Sequence, residues 1–245
     1  MNKIYFVTGS QDLYGEETLR QAANDSTVIS GFLNEKLSDI AEVVFMPVVK
    51  TACEAEDICV QASSDKDCIG VIMWMHTFSP AKMWIRALKA LKKPMLHLHT
   101  QFNKKLPYDS IDMDFMNLNQ SAHGDREFGF ICTRLGIKRE VVVGYYRHED
   151  VTEKIRRFAY AASAVAFSRT LRVAMLGNNM RDVAVTDGDR VESEIRFGWN
   201  VNYYGIGDIA DIADSVTDSE IEAKMSEYAE KYTMATDNLA AVREQ

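Results

Sequence analysis

Hydrophobic and polar positions follow two alternating patterns along the first two thirds of the chain. Short runs that are apolar at nearly every position, and rich in β-branched or aromatic residues, predict strands at Lys3–Thr8, Val43–Val49, Ile69–Met73, Met95–His99 and Glu140–Gly144. Such uninterrupted apolar runs are typical of parallel strands that helices cover on both faces.

Longer stretches with helical spacing of apolar residues lie between these strands. They predict helices at Glu16–Leu37, Glu54–Ser63, Ala81–Leu91 and Gln120–Leu135, with Val151–Phe167 after the fifth strand. Pro80 and Gly136 stand where a helix usually begins and ends. This order of elements predicts an α/β fold with a doubly wound parallel sheet, Rossmann-like or flavodoxin-like.

The pattern starts again near residue 169. A sixth strand at Leu171–Leu176 is followed by a strand at Val201–Gly205 and a helix at Asp218–Tyr232. We therefore predict an N-terminal α/β domain, 1–168, and part of a second, central α/β domain, 169–245, which is too short to cover both faces of its sheet. The last helix, capped by Thr236-Asp237-Asn238, lacks a stop signal, so we expect a truncated chain.

Composition narrows the classes of partner. The 245 residues are 47% hydrophobic, and their formal net charge of -8, with a pI near 5.2, would repel nucleic acid and anionic membrane surfaces. No apolar run approaches the roughly 20 residues of a membrane span, and the N-terminus enters a strand pattern without a signal-peptide core. We expect a cytoplasmic protein.

Polar residues follow three of the predicted strands. The turn Gly9-Ser-Gln-Asp-Leu-Tyr-Gly15 comes after the first, His76-Thr-Phe78 after the third and His99-Thr-Gln-Phe102 after the fourth. Because the carboxyl ends of parallel strands meet at one edge, these groups predict a polar rim there, where open α/β proteins bind ligands. The glycine pattern does not match G-x-G-x-x-G, which argues against a dinucleotide site.

Metal and disulfide sites are less well supported. His97 and His99 share a strand face, but no Glu or Asp lies beside them in sequence, so we predict no metal ligand in this chain. Thr186-Asp-Gly-Asp189 is better explained as a turn capping a helix from Arg190 than as a calcium loop. The four cysteines lack CxxC spacing and are expected to be reduced thiols in or near the core.

The stretch Asp109–Ile131 has the highest density of hydrogen-bonding side chains. Asn117, Asn119, Gln120, Ser121, His123, Asp125, Arg126 and Glu127 are crowded between apolar residues there. Groups that both donate and accept suit a ligand rich in hydroxyls.

Several long sequence motifs resemble the N-terminal half of the L-arabinose isomerase family. They are Gly9-Ser-Gln-x-Leu-Tyr-Gly15, Trp74-Met-His-Thr-Phe-Ser-Pro-Ala-Lys-Met-Trp84, Gln101-Phe-Asn103, Asp109–Ile131 and Asn179-Met-Arg-x-Val-Ala-Val-Thr-Asp-Gly-Asp189. The resemblance implies a metal-dependent interconversion of L-arabinose and L-ribulose, usually with Mn²⁺, by a homohexamer that serves arabinose catabolism.

The same resemblance assigns roles residue by residue. It implies that the metal is held by two glutamates and two histidines beyond position 245, so that no catalytic or metal-binding residue is assigned here. It implies a substrate-binding wall, lent to a neighbouring subunit, made of Gln11, Leu13, Tyr14, Phe78, Gln120, His123 and Met180. Two positions depart from the family pattern, since Asp12 stands where His is frequent and Asn178 where Asp is common.

Two other interpretations remain open. Successive α/β domains with a polar cleft also describe non-catalytic sugar-binding modules, although the missing export signal argues against one. L-fucose isomerases share the architecture implied by the resemblance, but the sequence motifs quoted above fit the arabinose enzymes better. The sequence does not decide which sugar or metal is preferred.

Overall fold

A computed structural model describes residues 1–244, which form two compact units, Met1–Phe167 and a second beginning at Ser168. The strands of the first unit are β1 (Lys3–Thr8), β2 (Glu42–Phe45), β3 (Cys68–Trp74), β4 (Met95–His99) and β5 (Glu140–Val143). Its helices are α1 (Gly15–Leu37), α2 (Ala52–Ser64), α3 (Trp84–Ala90), α4 (Met113–Leu118), α5 (Ser121–Arg134) and α6 (Glu149–Ser168).

The five strands form one parallel sheet in the order β2-β1-β3-β4-β5. Helices cover both faces, as the uninterrupted apolar strands predict. Alternate residues of β1 separate into two cores: Ile4 and Phe6 pack with α1 and α6, while Tyr5 and Val7 pack with α2, α3 and α5. The predicted doubly wound α/β fold is confirmed.

The predicted element boundaries hold to within a few residues, except in two places. The second strand ends at Phe45, earlier than the predicted Val49, because Pro47 has no backbone N–H to donate. On either side of Pro47 the chain still bonds to β1, from Met46 N to Phe6 O and from Val49 N to Thr8 O, both at 2.9 Å. The predicted helix Ala81–Leu91 begins as a 3-10 turn, Ala81–Met83, before α3.

Pro80 and Gly136 mark helix ends as predicted. Pro80 is the N-cap of the 3-10 turn. Gly136 has a φ of 67° just after α5, and Ile137 N donates to Cys132 O at 2.9 Å. This is the left-handed helix end that glycine favours.

The second unit contains a two-stranded parallel sheet, β6 (Arg172–Leu176) beside β7 (Asn200–Tyr204). Its helices are α7 (Arg190–Phe197), α8 (Ile206–Ser215), α9 (Asp218–Lys231) and α10 (Leu239–Glu244). No described residue after Ala162 is buried, so this unit has apolar surface on its strands and helices in place of a core. Across positions 1–244, no helix is long and apolar enough to cross a membrane.

Candidate functional site

The turn after β1 carries three of the residues that the resemblance assigns to the sugar wall. Gln11 is extended and precedes the 3-10 turn Asp12–Tyr14, in which Leu13 is 85% exposed and Tyr14 half-buried. Gly9 anchors this turn, because a Cβ there would lie only 2.5 Å from the Met75 sulfur. The close packing at Gly9 fixes the backbone at the start of the turn, and Leu13 is exposed to solvent.

Asp12, one of the two departures from the resemblance, forms an ion pair with Lys50 from the segment after β2. The Lys50 Nζ to Asp12 Oδ1 distance is 3.2 Å, and a hydrogen bond to Asp12 raises the pKa of Lys50. Both side chains are partly exposed, so this contact contributes little to stability. It does link the β1 turn to the neighbouring segment.

The loop after β3 is tied to the β1 turn. Thr77 Oγ1 donates a 2.7 Å hydrogen bond to Ser10 Oγ, and both residues are buried. Gln11 directly follows Ser10 in the sequence, and Phe78 directly follows Thr77. The bond therefore holds two parts of the predicted rim together.

Helix α5 adds the third part. The ring of His123 is stacked on that of Phe78, with centroids 4.5 Å apart and planes at 25°. Gly124 permits this approach, since a Cβ there would lie 2.8 Å from the carbonyl oxygen of Thr77. Gln120 lies one turn before, its carbonyl accepting from His123 N at 3.0 Å. Six of the seven predicted wall residues therefore lie at one edge of the first unit. They are Gln11, Leu13, Tyr14, Phe78, Gln120 and His123.

Met180 lies in the second unit and is 63% exposed. Its backbone N–H donates to Thr186 Oγ1 at 3.1 Å. In the same segment, Asp189 Oδ1 accepts from Glu192 N at 2.9 Å and caps α7. The interpretation of Thr186–Asp189 as a helix-capping turn is confirmed.

A buried histidine–aspartate pair stands behind the rim. His76 Nε2 lies 2.7 Å from Asp25 Oδ2 of α1, and the His76 ring is stacked on Trp74 at 4.2 Å. His76 Nδ1 is buried without a partner. This histidine is thus satisfied on one side within the protein and lies beneath the Thr77 loop.

A second buried pair joins β4 to α5. His97 Nε2 lies 2.8 Å from Asp125 Oδ1, and His97 Nδ1 lies 3.1 Å from His99 Nε2. Burial, followed by the nearby His99 and Arg139, lowers the pKa of His97 to about 2, while burial raises the pKa of Asp125 well above its usual range. Both shifts favour uncharged forms, so the contact is a hydrogen bond between neutral groups.

These three residues are the one ligand-type cluster found among residues 1–244. No acidic residue lies beside His97 and His99 in the sequence, but the fold places one next to them, because α5 brings Asp125 within hydrogen-bonding distance of His97. The expectation that these histidines have no acidic neighbour was therefore wrong. The cluster nevertheless does not fit Mn²⁺, because burial favours the protonated form of the Asp125 carboxyl, whereas a carboxyl group must lose its proton to bind a cation. Both nitrogens of His97 are already hydrogen-bonded.

Sequence reasoning missed both carboxyl partners, although a signal exists. Asp25 is spaced with Ile29 and Leu33 on the buried stripe of α1, and Asp125 with Phe128 and Cys132 on that of α5. An acidic residue on an apolar helix stripe requires a buried partner. Which histidine provides it depends on packing that the spacing does not encode.

Comparison with known proteins gives consistent matches over the whole chain. Residues 1–170 match the L-arabinose isomerase N-terminal domain, and residues 172–245 match the L-arabinose isomerase central domain. The L-arabinose isomerase of Geobacillus thermodenitrificans is 52% identical over 94% of this chain and 46% of its own length.

Two further relatives extend the match. The L-arabinose isomerases of Thermotoga petrophila and Clostridium beijerinckii are each 48% identical over 99% of this chain, which covers 49% and 50% of their lengths. The chain thus spans about half the length of these relatives. With both domain types matched in order, the chain belongs to the L-arabinose isomerase family, of which it represents the N-terminal half.

Proposed function

We propose that this chain forms one wall of the sugar pocket of an enzyme that converts L-arabinose to L-ribulose. In the first unit, the wall consists of Gln11, Leu13, Tyr14, Phe78, Gln120 and His123. The family resemblance also assigns Met180 to sugar binding. The observation that supports it best is the linkage of two loops and helix α5 at one sheet edge through Thr77, which bonds to Ser10 and lies close to Gly124.

The chemistry of these side chains suits a pentose. Gln11, Gln120 and His123 can donate to and accept from sugar hydroxyls, while Phe78 and Leu13 can pack on the C–H faces. The stack between Phe78 and His123 holds the imidazole at a set angle, so that its polar edge is oriented before the sugar arrives. Preorganisation of this kind reduces the entropy lost on binding.

The proposal assigns the proton transfer and the divalent cation to other parts of the complete protein. The family resemblance implies Mn²⁺, which would polarise the sugar carbonyl and adjacent hydroxyl. The residues described in this structure bind and orient the substrate and exclude water from one side. The same proposal places the enzyme in the cytoplasm, in L-arabinose catabolism, as a homohexamer whose pockets join two subunits.

The test uses the complete protein with Gln11→Ala or His123→Ala. Loss of one polar contact costs about 1–3 kcal/mol in transition-state binding, so kcat/KM for L-arabinose should fall roughly 5- to 150-fold. Arg134→Ala, at the far end of α5, is the matched control and should retain activity. Unchanged kinetics in both rim variants would remove the sugar-wall assignment. Faster turnover of L-fucose than of L-arabinose by the parent would reassign the substrate.

The shared pocket requires a separate experiment. The double variant Gln11→Ala, His123→Ala is mixed in equal amounts with a variant that lacks a metal-binding glutamate of the other half. Random assembly should restore about a quarter of the pockets if each pocket joins two chains. Mixed oligomers no more active than either parent would show that each pocket lies within one chain.

A further inference from the structure

A cavity of about 550 Å³ opens at the carboxyl ends of β4 and β5. That volume is in the range of small-molecule sites. None of the sugar-wall residues lines it, although Asn119 and Ser121, the neighbours of Gln120, do. The cavity is therefore a separate place in the first unit.

Two buried oxygen atoms of the cavity-lining residues lack a hydrogen-bond partner. They are Asp125 Oδ2 and Asn119 Oδ1. The other Asp125 oxygen is used by His97 at 2.8 Å and by Met75 N at 3.2 Å, and the amide nitrogen of Asn119 donates to Phe115 O at 3.0 Å. Because a buried polar atom without a partner costs about 1–3 kcal/mol, both atoms indicate a ligand that supplies the missing bonds.

The two oxygens differ in what they need. Burial raises the pKa of Asp125 and favours its protonated form, which can donate, whereas the amide oxygen of Asn119 only accepts. His99 lines the same cavity and bonds to His97 through Nε2, which leaves Nδ1 for a ligand. Hydroxyl groups, which donate and accept, match this mixture.

The exposed part of the lining is cationic. Lys104, Lys105 and Arg126 border the cavity, and none forms an ion pair with an acidic group in the part of the chain that the structure describes. A group of three unpaired cations contrasts with the overall charge of -8. It favours an anion and disfavours a metal cation at the His97, His99 and Asp125 cluster.

We propose that this cavity binds a small phosphorylated polyol. The phosphate lies between Lys104, Lys105 and Arg126, and the hydroxyl groups bond to Asp125, Asn119 and His99. Arginine and lysine together suit a phosphate, the former by its planar fork of donors. The proposal does not depend on the sugar-wall assignment, because it uses different residues and a different ligand.

The test is calorimetric titration of the whole chain with three probes: glycerol 3-phosphate, inorganic phosphate and glycerol. Glycerol 3-phosphate should bind about tenfold more tightly than phosphate, and glycerol should not bind detectably, since each half of the ligand adds to affinity. Arg126→Gln should weaken binding of both anions about tenfold. Arg134→Gln, on the same helix but outside the cavity, is the matched control.

Asn119→Ala tests the hydroxyl contacts without altering the buried Asp125. It should bring the affinity for glycerol 3-phosphate close to that for phosphate and leave phosphate binding unchanged. Equal loss of binding in Arg126→Gln and Arg134→Gln would reveal non-specific charge attraction and overturn the proposal. Absence of binding by the folded parent protein, or equal affinity for phosphate and glycerol 3-phosphate, would do the same.

Discussion

The imidazole of His123 lies against the phenyl ring of Phe78, with centroids 4.5 Å apart. These residues come from different elements, one from α5 and the other from the loop after β3. Their contact depends on the residue next to His123, because only a glycine lets α5 come so close to the Thr77 carbonyl. Packing behind the rim thereby sets the geometry of the rim itself.

Gly124→Ala should destabilise the protein by about 1–3 kcal/mol, because the added methyl group would lie 2.8 Å from a backbone oxygen that cannot move easily. Gly31→Ala is the control, since nothing lies within 4 Å of a Cβ at that helical position, and it should stabilise by about 0.5–1 kcal/mol. Urea unfolding measures both. Equal effects would contradict the close approach described for α5.

The ion pair between Asp39 and Arg156 should make stability depend on pH in the acid range. Both Asp39 oxygens accept from the guanidinium at 2.9 Å, and this lowers the pKa of Asp39 to about 2 from an ordinary 3.8. Because the folded-state pKa is the lower one, the stabilisation is complete above the unfolded value and is lost as pH falls toward 2. Asp39→Asn should flatten the stability profile between these values.

The control for that measurement is Arg156→Gln, which removes the other partner. Unfolding midpoints in urea, followed from neutral pH down to about pH 2, should give the same flattened profile for either single variant and no further change for the double variant. Parallel profiles for parent and variants would show that the pair makes no contribution in solution.

Thiol chemistry should distinguish one cysteine from the other three. Cys53 is exposed, whereas Cys59, Cys68 and Cys132 are buried, and burial raises the pKa of Cys59 to about 12. A thiol reagent should therefore modify one group rapidly in the native protein and four after denaturation. Cys53→Ser should abolish the rapid phase. Two or more fast thiols would mean that the core around α2 or α5 opens readily.

Hydrogen exchange should separate the predicted domains 1–168 and 169–245. Strands β1 and β3 are buried at both faces, while β6 and β7 contain no buried residue. Local stability follows burial, so amides of β6 and β7 should exchange at least about 100-fold faster than those of β1 and β3. Uniformly slow exchange would contradict the division. Limited proteolysis, expected to cut mainly after Ser168, provides an independent measurement.

The apolar pattern was sufficient to predict the five-stranded sheet because both faces of each central strand are covered. It could not predict α4, which has only six residues and depends on the Asp112 cap for its start. It also could not pair Asp25 with His76 or Asp125 with His97. Those contacts depend on the rotation of each helix about its axis and on strand order, which local spacing does not specify.

Gln120 of the proposed sugar wall stands between Asn119 and Ser121, which line the proposed phosphate cavity, so the two sites use neighbouring residues where α5 begins. Because Asn119 and Gln120 are joined by a peptide bond, a ligand that moved Asn119 would also move the backbone of Gln120. By thermodynamic reciprocity, each ligand would then change the dissociation constant of the other by the same factor. The dissociation constant of one ligand, measured with and without saturating amounts of the other, would give the coupling free energy between these two neighbouring sites.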